Sequence, residues 1–346
     1  MSKPFFTIAI PTYNRANDLK KSIEFLMQQN FSDFEIVISD NCSTDNTKRI
    51  IQSFRDKRIR YFKNNRNIEV MANVQRVIDQ ARGKYIFLHA DDDFLIDKAV
   101  LRRVKEIIDD RKVGYLRLNY LSLSSDKKNV FDFRASKFYR HDVALKPSEK
   151  ALKVIDFLLK SDCSFITGIV FKNDLPKNKK IINSQLYPWF PIIFQRAKEH
   201  GAYYINKPYV VAGWSQWRVT KDAFNPLYSL INGKLTSEEY FEFVKKELKD
   251  SEYKKFFKKQ LFAIYVTHFP VIKLFTGTKN MLRLKSRLLY LVPSFRSMPY
   301  FWLSFVAALI MPRFVLTYLK RLYLFLYISR SKQDKFLVKN KVIIKD

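Results

Sequence analysis

The chain has 346 residues and a formal net charge of +30, from 63 Lys and Arg against 33 Asp and Glu. Hydrophobic residues make up 47% of it, which excludes a globally disordered chain, because such chains lack the apolar residues that a core needs. Two cysteines are too few for a disulfide framework, and no Cys and His residues have zinc-site spacing. The charge indicates an anionic partner: nucleic acid, an anionic lipid surface or a phosphorylated substrate.

The first third of the chain alternates short apolar runs with segments of helical periodicity. Such alternation typically builds a parallel sheet covered by helices on both faces, so we predict an α/β fold with ligands at the carboxyl ends of the strands. The chemistry should then lie in the loops 11–15, 39–47 and 89–94. The predicted strands are 6–10, 34–38, 58–62, 85–88, 113–118, 165–171 and 203–211, and the predicted helices are 18–29, 45–54, 70–81, 99–110, 147–160 and 189–200.

The composition changes after about residue 225, where the sequence turns to helical patterns rich in Lys, Phe and Tyr. We therefore predict an α/β domain at 1–225 and a basic, aromatic-rich helical region at 226–346. No signal peptide is predicted, because Pro11 ends the first apolar run at Ile10.

Three adjacent carboxylates, Asp91, Asp92 and Asp93, directly follow the fourth predicted strand. Carboxylates this close repel one another unless a cation lies among them. Oxygen ligands suit Mn²⁺ or Mg²⁺, and a diphosphate commonly completes the coordination shell. The alternative is a solvated acidic helix N-terminus, which the helix dipole favours. The place of the three residues at a strand end favours the metal.

Asp40 ends the second predicted strand and is followed by Asn-Cys-Ser-Thr-Asp-Asn-Thr. At a strand end its carboxylate could accept a hydrogen bond from a base N–H. The residues after it favour turns and helix caps, so a purely structural turn is the alternative. The run Pro11-Thr-Tyr-Asn-Arg15 follows the first strand, which makes it the third wall of a nucleotide pocket.

Together these loops resemble the family 2 glycosyltransferases, which adopt the GT-A fold. The resemblance covers about residues 5–120, and four motifs match in order and spacing: Pro11-Thr-Tyr-Asn-Arg15, Asp40-Asn-Cys-Ser-Thr-Asp45, the stretch from Asn67 through Gly83-Lys-Tyr-Ile86, and Asp91-Asp-Asp93. It implies a nucleotide-diphosphate-sugar donor and a Mn²⁺ or Mg²⁺ cofactor. It also implies a setting in bacterial surface-polysaccharide assembly, of the O-antigen or capsule type.

The resemblance implies roles for individual residues. Asp91 and Asp93 would form the family's DxD element, with Asp93 as the first choice of metal ligand because the apolar pair Phe94-Leu95 follows it. Nucleotide binding is implied for Pro11, Thr12, Tyr13, Asn14, Arg15, Asp40, Asn67, Asp91 and Asp92.

The sequence departs from the family pattern at several positions. Asn41 and Cys42 stand where the family often has Asp and Gly, and Glu69 stands where a Gly is common. His89 and Ala90 precede the acidic triplet where Leu-Asp-Ala is usual, which leaves the register of the metal ligand open by one residue.

The general base is not evident from the sequence. Inverting family members usually carry it in a Glu-Asp pair before a helix on the acceptor side, but the equivalent stretch, Ser184-Gln-Leu-Tyr-Pro-Trp-Phe190, contains no acid. Asp162 precedes a predicted strand and could face the cleft, so it is the candidate base, whereas Asp174 suits an exposed turn. The base and the stereochemical course stay open. Gly213-Trp-Ser-Gln-Trp-Arg218 matches the family's Gln-Arg-Trp element poorly and suits core packing equally well.

The C-terminal region carries most of the charge. From residue 253 to 346 there are 19 Lys and Arg against two acidic residues, an excess of 17. Residues 299–312 are uncharged but too short to span a bilayer, which needs about 20 residues, and Lys320 and Arg321 interrupt the apolar pattern that follows. This composition predicts helices in the interface of an anionic membrane, in a peripheral or monotopic attachment at the cytoplasmic face of the inner membrane. A re-entrant hairpin and an ordinary basic helical domain are the alternatives.

We therefore predict an enzyme that moves a sugar from a nucleotide-diphosphate donor to a hydroxyl of a lipid-linked glycan acceptor. A nucleic-acid-binding protein would also explain the charge, but no recognition motif of that class is present, so no nucleic-acid partner is predicted. A nucleotidyltransferase would need a Gly-rich phosphate loop, and the seven glycines form none. A non-catalytic scaffold stays open because the base is missing from its expected place.

Overall fold

The computed structural model describes residues 3–123, 130–132, 138–174, 188–212, 230–231 and 233–319. These residues form two compact units. The first contains the described residues up to 174 together with 189–212, and the second contains Pro188 and the described residues from 230 onward. The predicted domain boundary at 225/226 lies outside the described residues and stays a prediction.

A ten-stranded mixed sheet is the centre of the first unit as described. Its order is β3-β2-β1-β4-β9-β6-β10-β5, with β7 beside β6 and β8 beside β10. The strands are β1 (Phe6–Thr12), β2 (Phe34–Asp40), β3 (Ile59–Lys63), β4 (Tyr85–Leu88), β5 (Phe94–Leu95), β6 (Tyr115–Leu123), β7 (Val130–Asp132), β8 (Val143–Leu145), β9 (Ile169–Lys172) and β10 (Ala202–Ala212).

Most of the central strands are parallel, as the alternating pattern predicts. Strands β3, β2, β1 and β4 run parallel to their neighbours, and so do β6 and β10. Strand β9 differs, because it is antiparallel to both β4 and β6. The chain reaches the carboxyl edge of β4 and β6 before β9 begins, so β9 has to run back across the sheet.

Helices cover this sheet and bury the apolar face that their periodicity predicts. In α1, for example, Leu19, Ile23 and Leu26 are buried. Helix α3 packs on β1 and β2, and α6 packs on β6, β9 and β10. The helices of the first unit are α1 (Ala16–Met27), α2 (Thr47–Ser53), α3 (Val70–Asp79), α4 (Val100–Arg111), α5 (Ala151–Lys160) and α6 (Phe190–His200).

The second unit is helical, as predicted for the C-terminal region. Its core is aromatic and includes Tyr265, Phe269, Phe295 and Phe301, each fully buried. The elements are a small hairpin of β11 (Leu230–Ile231) and β12 (Lys234–Leu235), then α7 (Glu238–Glu247), α8 (Asp250–Ile264), α9 (Phe269–Thr276), α10 (Thr278–Leu291), α11 (Pro299–Ile310) and α12 (Arg313–Leu319), with short 3₁₀ turns at Val266–His268 and Pro293–Ser297.

Across the described ranges, no single helix has the length and apolar character to cross a membrane. Within the same ranges, α11 and α12 counted together reach that length and composition, but the pair is bent by 112° where the two helices join.

Candidate functional site

The three predicted loops meet at one edge of the sheet. Strands β1, β2 and β4 are parallel neighbours, so their carboxyl ends lie side by side. Thr12 at the end of β1 is in register with Asp40 at the end of β2. The loop after β4 begins at His89, whose backbone N–H donates to the carbonyl of Ala9 in β1. The fold therefore brings the first, second and fourth motifs together.

An ion pair joins the first loop to the acidic triplet. The Arg15 guanidinium donates through Nη1 to Asp92 Oδ2 at 2.7 Å and to Asp91 Oδ1 at 3.4 Å. The Thr12 hydroxyl donates to Asp91 Oδ2 at 2.6 Å. Both carboxylates are buried, whereas about a quarter of the Arg15 side chain is exposed. Arg15 is thus a counter-ion for both of the adjacent carboxylates.

The pKa of Asp91 is raised to about 7, first because burial penalises the charged carboxylate and further because Asp92 carries like charge. Arg15 and the Thr12 hydroxyl oppose this shift without cancelling it. A carboxylate in this condition gains stability from any cation that approaches it, because a positive charge favours the ionised form.

Asp40 is completely buried at the end of β2 and already has two partners. The backbone N–H of Ser43 donates to its Oδ1 at 2.8 Å, and the Tyr61 hydroxyl donates to its Oδ2 at 2.5 Å. Burial and the adjacent Asp40 raise the pKa of Tyr61 well above its usual range, which keeps this donor protonated. The turn predicted after Asp40 is therefore present. Each carboxylate oxygen has a second lone pair for a ligand, so nucleotide binding by Asp40 stays a prediction.

Side-chain amides connect the remaining predicted residues. Asn14 accepts a hydrogen bond from the Thr44 backbone N–H at 2.8 Å, which links the first loop to the second. Asn67 accepts from the Asn41 amide at 2.8 Å, which links the second loop to the chain before α3. Pro11 lies half-buried within β1, and Tyr13 is 44% exposed beside it.

Asp93 lies in a different environment from Asp91. Its carboxylate accepts a hydrogen bond from the Thr167 hydroxyl, and that hydroxyl also accepts from the Ala90 backbone N–H at 2.8 Å. Asp93 is 1% exposed. Thr167 therefore ties the acidic triplet to the loop before β9. The prediction that Asp93 ligates a metal stays a prediction.

His89 supports the triplet from within the core. Its Nε2 lies 3.0 Å from the Ser22 hydroxyl and 3.1 Å from the Asp93 carbonyl oxygen, and within the described residues its buried Nδ1 has no hydrogen-bond partner. Burial lowers the pKa of His89 to about 4, so the ring is neutral at pH 7. A neutral ring donating from Nε2 can satisfy only one of its two neighbours at a time.

The candidate base, Asp162, lies at the same carboxyl edge, on the loop between α5 and β9. Its Oδ2 accepts from the Tyr120 hydroxyl at 2.9 Å, and its Oδ1 accepts from the backbone N–H of Ser164 at 3.2 Å. This loop also carries Thr167, the partner of Asp93. Asp162 therefore shares its loop with the residue that binds the acidic triplet. Its catalytic role stays a prediction.

Arg117 holds that loop in place, and its role was not predicted. This side chain is fully buried in β6 and donates to three carbonyl oxygens: Ser161 at 3.3 Å, Asp162 at 2.9 Å and Thr167 at 2.6 Å. The sequence signal that could have found it is an arginine inside an apolar strand, at Tyr115-Leu-Arg-Leu118. An arginine buried in this way needs partners, and here the loop's carbonyls supply them.

Among the described residues, no group of three or more His, Cys, Asp or Glu side chains could hold a metal ion without other ligands. Mg²⁺ is usually bound by only one or two carboxylates, with phosphates and water completing its shell. Asp91 and Asp92 fit that second mode, because they are adjacent buried carboxylates that both pair with Arg15.

Two of the predicted site segments lie outside the described residues. They are residues 213–218 and all but the last three residues of 184–190.

A mostly parallel sheet whose carboxyl edge gathers acidic residues, an arginine and polar turns defines a nucleotide-binding α/β protein. The profile of the family described as Glycosyl transferase family 2 matches residues 7–165. The GalNAc(5)-diNAcBac-PP-undecaprenol beta-1,3-glucosyltransferase of Campylobacter jejuni is 30% identical over 252 residues, which are 71% of this chain and 77% of that relative. The chain belongs to glycosyl transferase family 2 and is a glycosyltransferase, which sets aside the nucleotidyltransferase alternative.

Two further similarities agree with this assignment. An uncharacterized glycosyltransferase of Methanocaldococcus jannaschii, MJ1057, is 26% identical over 199 residues, 55% of this chain and 64% of that relative. The crystal structure of Staphylococcus aureus TarS in complex with UDP-GlcNAc superimposes with a TM-score of 0.55 at 16% identity and covers 88% of each chain. The predicted GT-A fold is confirmed.

Proposed function

We propose that this glycosyltransferase transfers a sugar from a nucleotide-diphosphate donor to a hydroxyl of a lipid-linked glycan, in the assembly of a bacterial surface polysaccharide. The Campylobacter jejuni relative is named for a PP-undecaprenol-linked glycan, which supports a lipid-linked acceptor. The TarS structure holds UDP-GlcNAc, which supports a nucleotide-sugar donor.

The observation that carries the proposal is the cluster of Arg15, Thr12, Asp91 and Asp92 at the carboxyl edge of β1 and β4. A nucleotide diphosphate carries negative charge that needs cationic partners, and a buried site strengthens such interactions. About a quarter of the Arg15 side chain is exposed at this edge, and its guanidinium would turn from the two carboxylates to the diphosphate. Asp40 and Asn67 would face the nucleoside from the neighbouring loops.

We propose that Asp91, supported by Asp92, holds Mn²⁺ or Mg²⁺ together with the diphosphate. When bound, the metal neutralises the charge that develops on the departing diphosphate. The raised pKa of Asp91 and its long 3.4 Å contact with Arg15 favour Asp91 as the metal ligand. Asp93 is less suited to this role, because its carboxylate already accepts a hydrogen bond from the Thr167 hydroxyl. Asp93 would then fix the position of the loop that carries Asp162.

We propose Asp162 as the general base toward the acceptor hydroxyl. It is half-buried, it lies at the carboxyl edge, and the Tyr120 hydroxyl orients its carboxylate. A base has to lie within hydrogen-bond reach of the proton that it removes, so its orientation matters as much as its pKa.

We propose a peripheral attachment of the second unit to the cytoplasmic face of the inner membrane. Between residues 253 and 319 there are 11 Lys and Arg and no Asp or Glu, and no single described helix reaches the length of a span. Each Lys or Arg near an anionic surface contributes on the order of 1 kcal/mol to binding, so this region favours such a surface.

Incubation of the purified chain with a panel of UDP-, GDP- and TDP-sugars, with release of the nucleoside diphosphate as readout, tests the function. We expect release with at least one donor, its loss in EDTA and its return with Mn²⁺ or Mg²⁺. Asp91→Asn should reduce the rate at least about a hundredfold, the scale of losing a charge that stabilises the transition state. Asp109→Asn, which removes an exposed carboxylate paired with Lys105, is the control. Full activity in EDTA would overturn the metal assignment.

A further inference from the structure

Helix α11 is apolar on both of its faces. Phe301, Phe305 and Ala308 are buried against the second unit, as expected for a core-facing stripe. On the other side, Leu303 is 67% exposed and Ile310 is 74% exposed. A surface helix of a soluble protein normally has polar or charged residues there, and α11 contains no charged residue. The exposed face of α11 is therefore apolar where a helix of a soluble protein is normally polar.

The apolar surface continues around the bend into α12. Leu316 is buried, while Phe314 is 75% exposed and Tyr318 is 65% exposed. We call six of the exposed apolar side chains of the two helices the apolar corner: Trp302, Leu303, Val306, Ile310, Phe314 and Tyr318. Large apolar side chains that are exposed on adjoining helices mark an interaction surface.

A buried lysine holds the bend between the two helices. Lys273 in α9 donates through Nζ to the carbonyl oxygens of Leu309 at 2.8 Å and Met311 at 2.7 Å. These carbonyls belong to the last turn of α11 and to the residue after it, where a helix leaves carbonyls unsatisfied. Pro312 follows and cannot continue the helix with a backbone N–H. Lys273 thus fixes the bend. It also supplies hydrogen bonds to two backbone carbonyl groups that would be penalised if they entered lipid without a partner.

Basic residues lie close to the apolar corner. Lys285 Nζ lies 5.4 Å from the centre of the Phe305 ring, and Arg313 begins α12. The Arg296 carbonyl accepts a hydrogen bond from the Trp302 indole at 2.8 Å, which places Arg296 beside the corner's first residue. No acidic residue occurs from 253 to 319. The surface is therefore apolar with a rim of positive charge.

We propose that the apolar corner inserts into the headgroup and outer acyl region of an anionic bilayer, as a wedge whose shape Lys273 maintains. This inference rests on the proposed membrane attachment and adds which residues enter the lipid. The positive rim favours phospholipid headgroups over a second copy of the chain, because two such rims facing each other would repel. With 12 residues α11 is about 18 Å long, which suits a helix lying in the interface and not a span.

The test compares binding of the full chain to pure phosphatidylcholine vesicles and to vesicles that also contain phosphatidylglycerol. We expect Ile310→Ser combined with Phe314→Ser to lower binding to the anionic vesicles at least about tenfold, because apolar insertion scales with buried area. The control is Leu152→Ser, an exposed leucine on α5, which should bind as the unaltered chain does. Binding that the double variant leaves unchanged would overturn the wedge.

Depth is measured independently through Trp302, by quenching with brominated lipids and subtraction of the signal of Trp302→Phe. We expect quenching in the unaltered chain, and weaker quenching in Lys273→Met at equal amounts of bound protein, since the corner then loses its fixed bend. If Lys273→Met does not fold, the double serine variant and the quenching of the unaltered chain still decide the proposal. Absence of Trp302 quenching in bound protein would contradict it.

Three other outcomes separate the explanations. If the unaltered chain ignores anionic vesicles at low salt, both the attachment and the wedge fail. If salt removes all binding and the double variant behaves normally, the attachment is electrostatic and the wedge alone fails. If the chain self-associates without lipid and the double variant does not, the corner is an interface between copies, and the wedge is wrong.

Discussion

Glu69 and Cys42 have backbone conformations that favour glycine. Cys42 has φ of 67°, and Glu69 has φ of 67° with ψ of 161°, a region that residues other than glycine rarely occupy. Both stand where the family commonly has glycine. Both turns therefore have a shape that strains a residue with a Cβ atom, and part of the stability of the chain is lost as backbone strain.

Glu69→Gly should stabilise the protein. The substitution removes strain of about 1–3 kcal/mol, while the extra freedom of glycine in the unfolded chain costs about 0.5–1 kcal/mol, so we expect a net gain of about 1 kcal/mol. Denaturant unfolding measures it. Glu24→Gly, in the middle of α1 where φ is negative, is the matched control and should destabilise by about 1 kcal/mol. A loss of stability in Glu69→Gly would show that the Glu69 side chain outweighs the strain.

Asp91 gives stability a specific pH dependence in the metal-free protein. Its pKa is about 7 in the folded chain against 3.8 ordinarily, so between these values the folded state keeps a proton that the unfolded state has released. The free energy of unfolding should therefore fall as pH rises from about 4 to about 7, by on the order of a few kcal/mol. Mn²⁺ should reduce the fall, because it favours the ionised carboxylate.

The measurement is the difference in unfolding free energy between the unaltered chain and Asp91→Asn in EDTA across that pH range. The difference is needed because His89 changes the free energy of unfolding in the opposite direction. Its pKa is lowered from 6.5 to about 4 in the folded chain, so protonation of His89 favours the unfolded state and lowers the free energy of unfolding as pH falls below about 6.5. A pH-independent difference would contradict the environment described for Asp91.

At the scale of elements, the sequence predicts the parallel part of the sheet well. Strand 85–88 agrees with β4 to the residue, and helix 70–81 overlaps α3 with an end two residues late. Both segments have strong periodicity and clear ends. The prediction of a strand at 165–171 is right only from Ile169 onward. The residues before it are apolar enough for a strand. However, the Thr167 carbonyl accepts from the Arg117 side chain, and the Ile166 carbonyl accepts from a backbone N–H three residues further on, so neither carbonyl joins the ladder of a neighbouring strand.

The part of the candidate site that lies in loops directly after parallel strands was predictable from the sequence. Asp40, Asp91 and Arg15 all come directly after strands of a parallel sheet, so their convergence follows from topology. Thr167 lies in the loop before β9, which is antiparallel to its neighbours, and Arg117 reaches that loop from β6 through a contact between residues 50 apart in the sequence. No local pattern encodes either pairing, which explains why they were missed.

Arg117 should act on catalysis through the loop that it holds. Arg117→Lys keeps the charge but cannot reach three carbonyls with one ammonium group, so Asp162 and Thr167 should shift. We expect kcat to fall about tenfold to a hundredfold, the usual effect of a small misplacement, with much less change in KM for the donor. Arg103→Lys, on an exposed pair with Asp97, is the control. A lower melting temperature with unchanged kcat would mean that Arg117 is structural only.

At the scale of the whole molecule, charge and chemistry occupy different parts of the chain. Residues 253–346 carry an excess of 17 positive charges, and the remaining 252 residues carry the other 13. The four motifs all lie before residue 94, in the first unit. This separation agrees with the proposed membrane attachment, in which the residues that contact lipid are not the residues that bind the donor.

A chain that ends after Leu230 should therefore keep its donor site and lose its membrane affinity. All strands of the described ten-stranded sheet lie before or at Ala212, the end of β10, so we expect the sheet to form in the shortened chain. We expect the shortened chain to bind nucleoside diphosphate in calorimetry with an unchanged dissociation constant, and to leave anionic vesicles in the supernatant on sedimentation. The full chain, measured alongside, should bind both. If the shortened chain is unfolded by circular dichroism, the second unit is part of the catalytic core, and the predicted division into two domains is wrong.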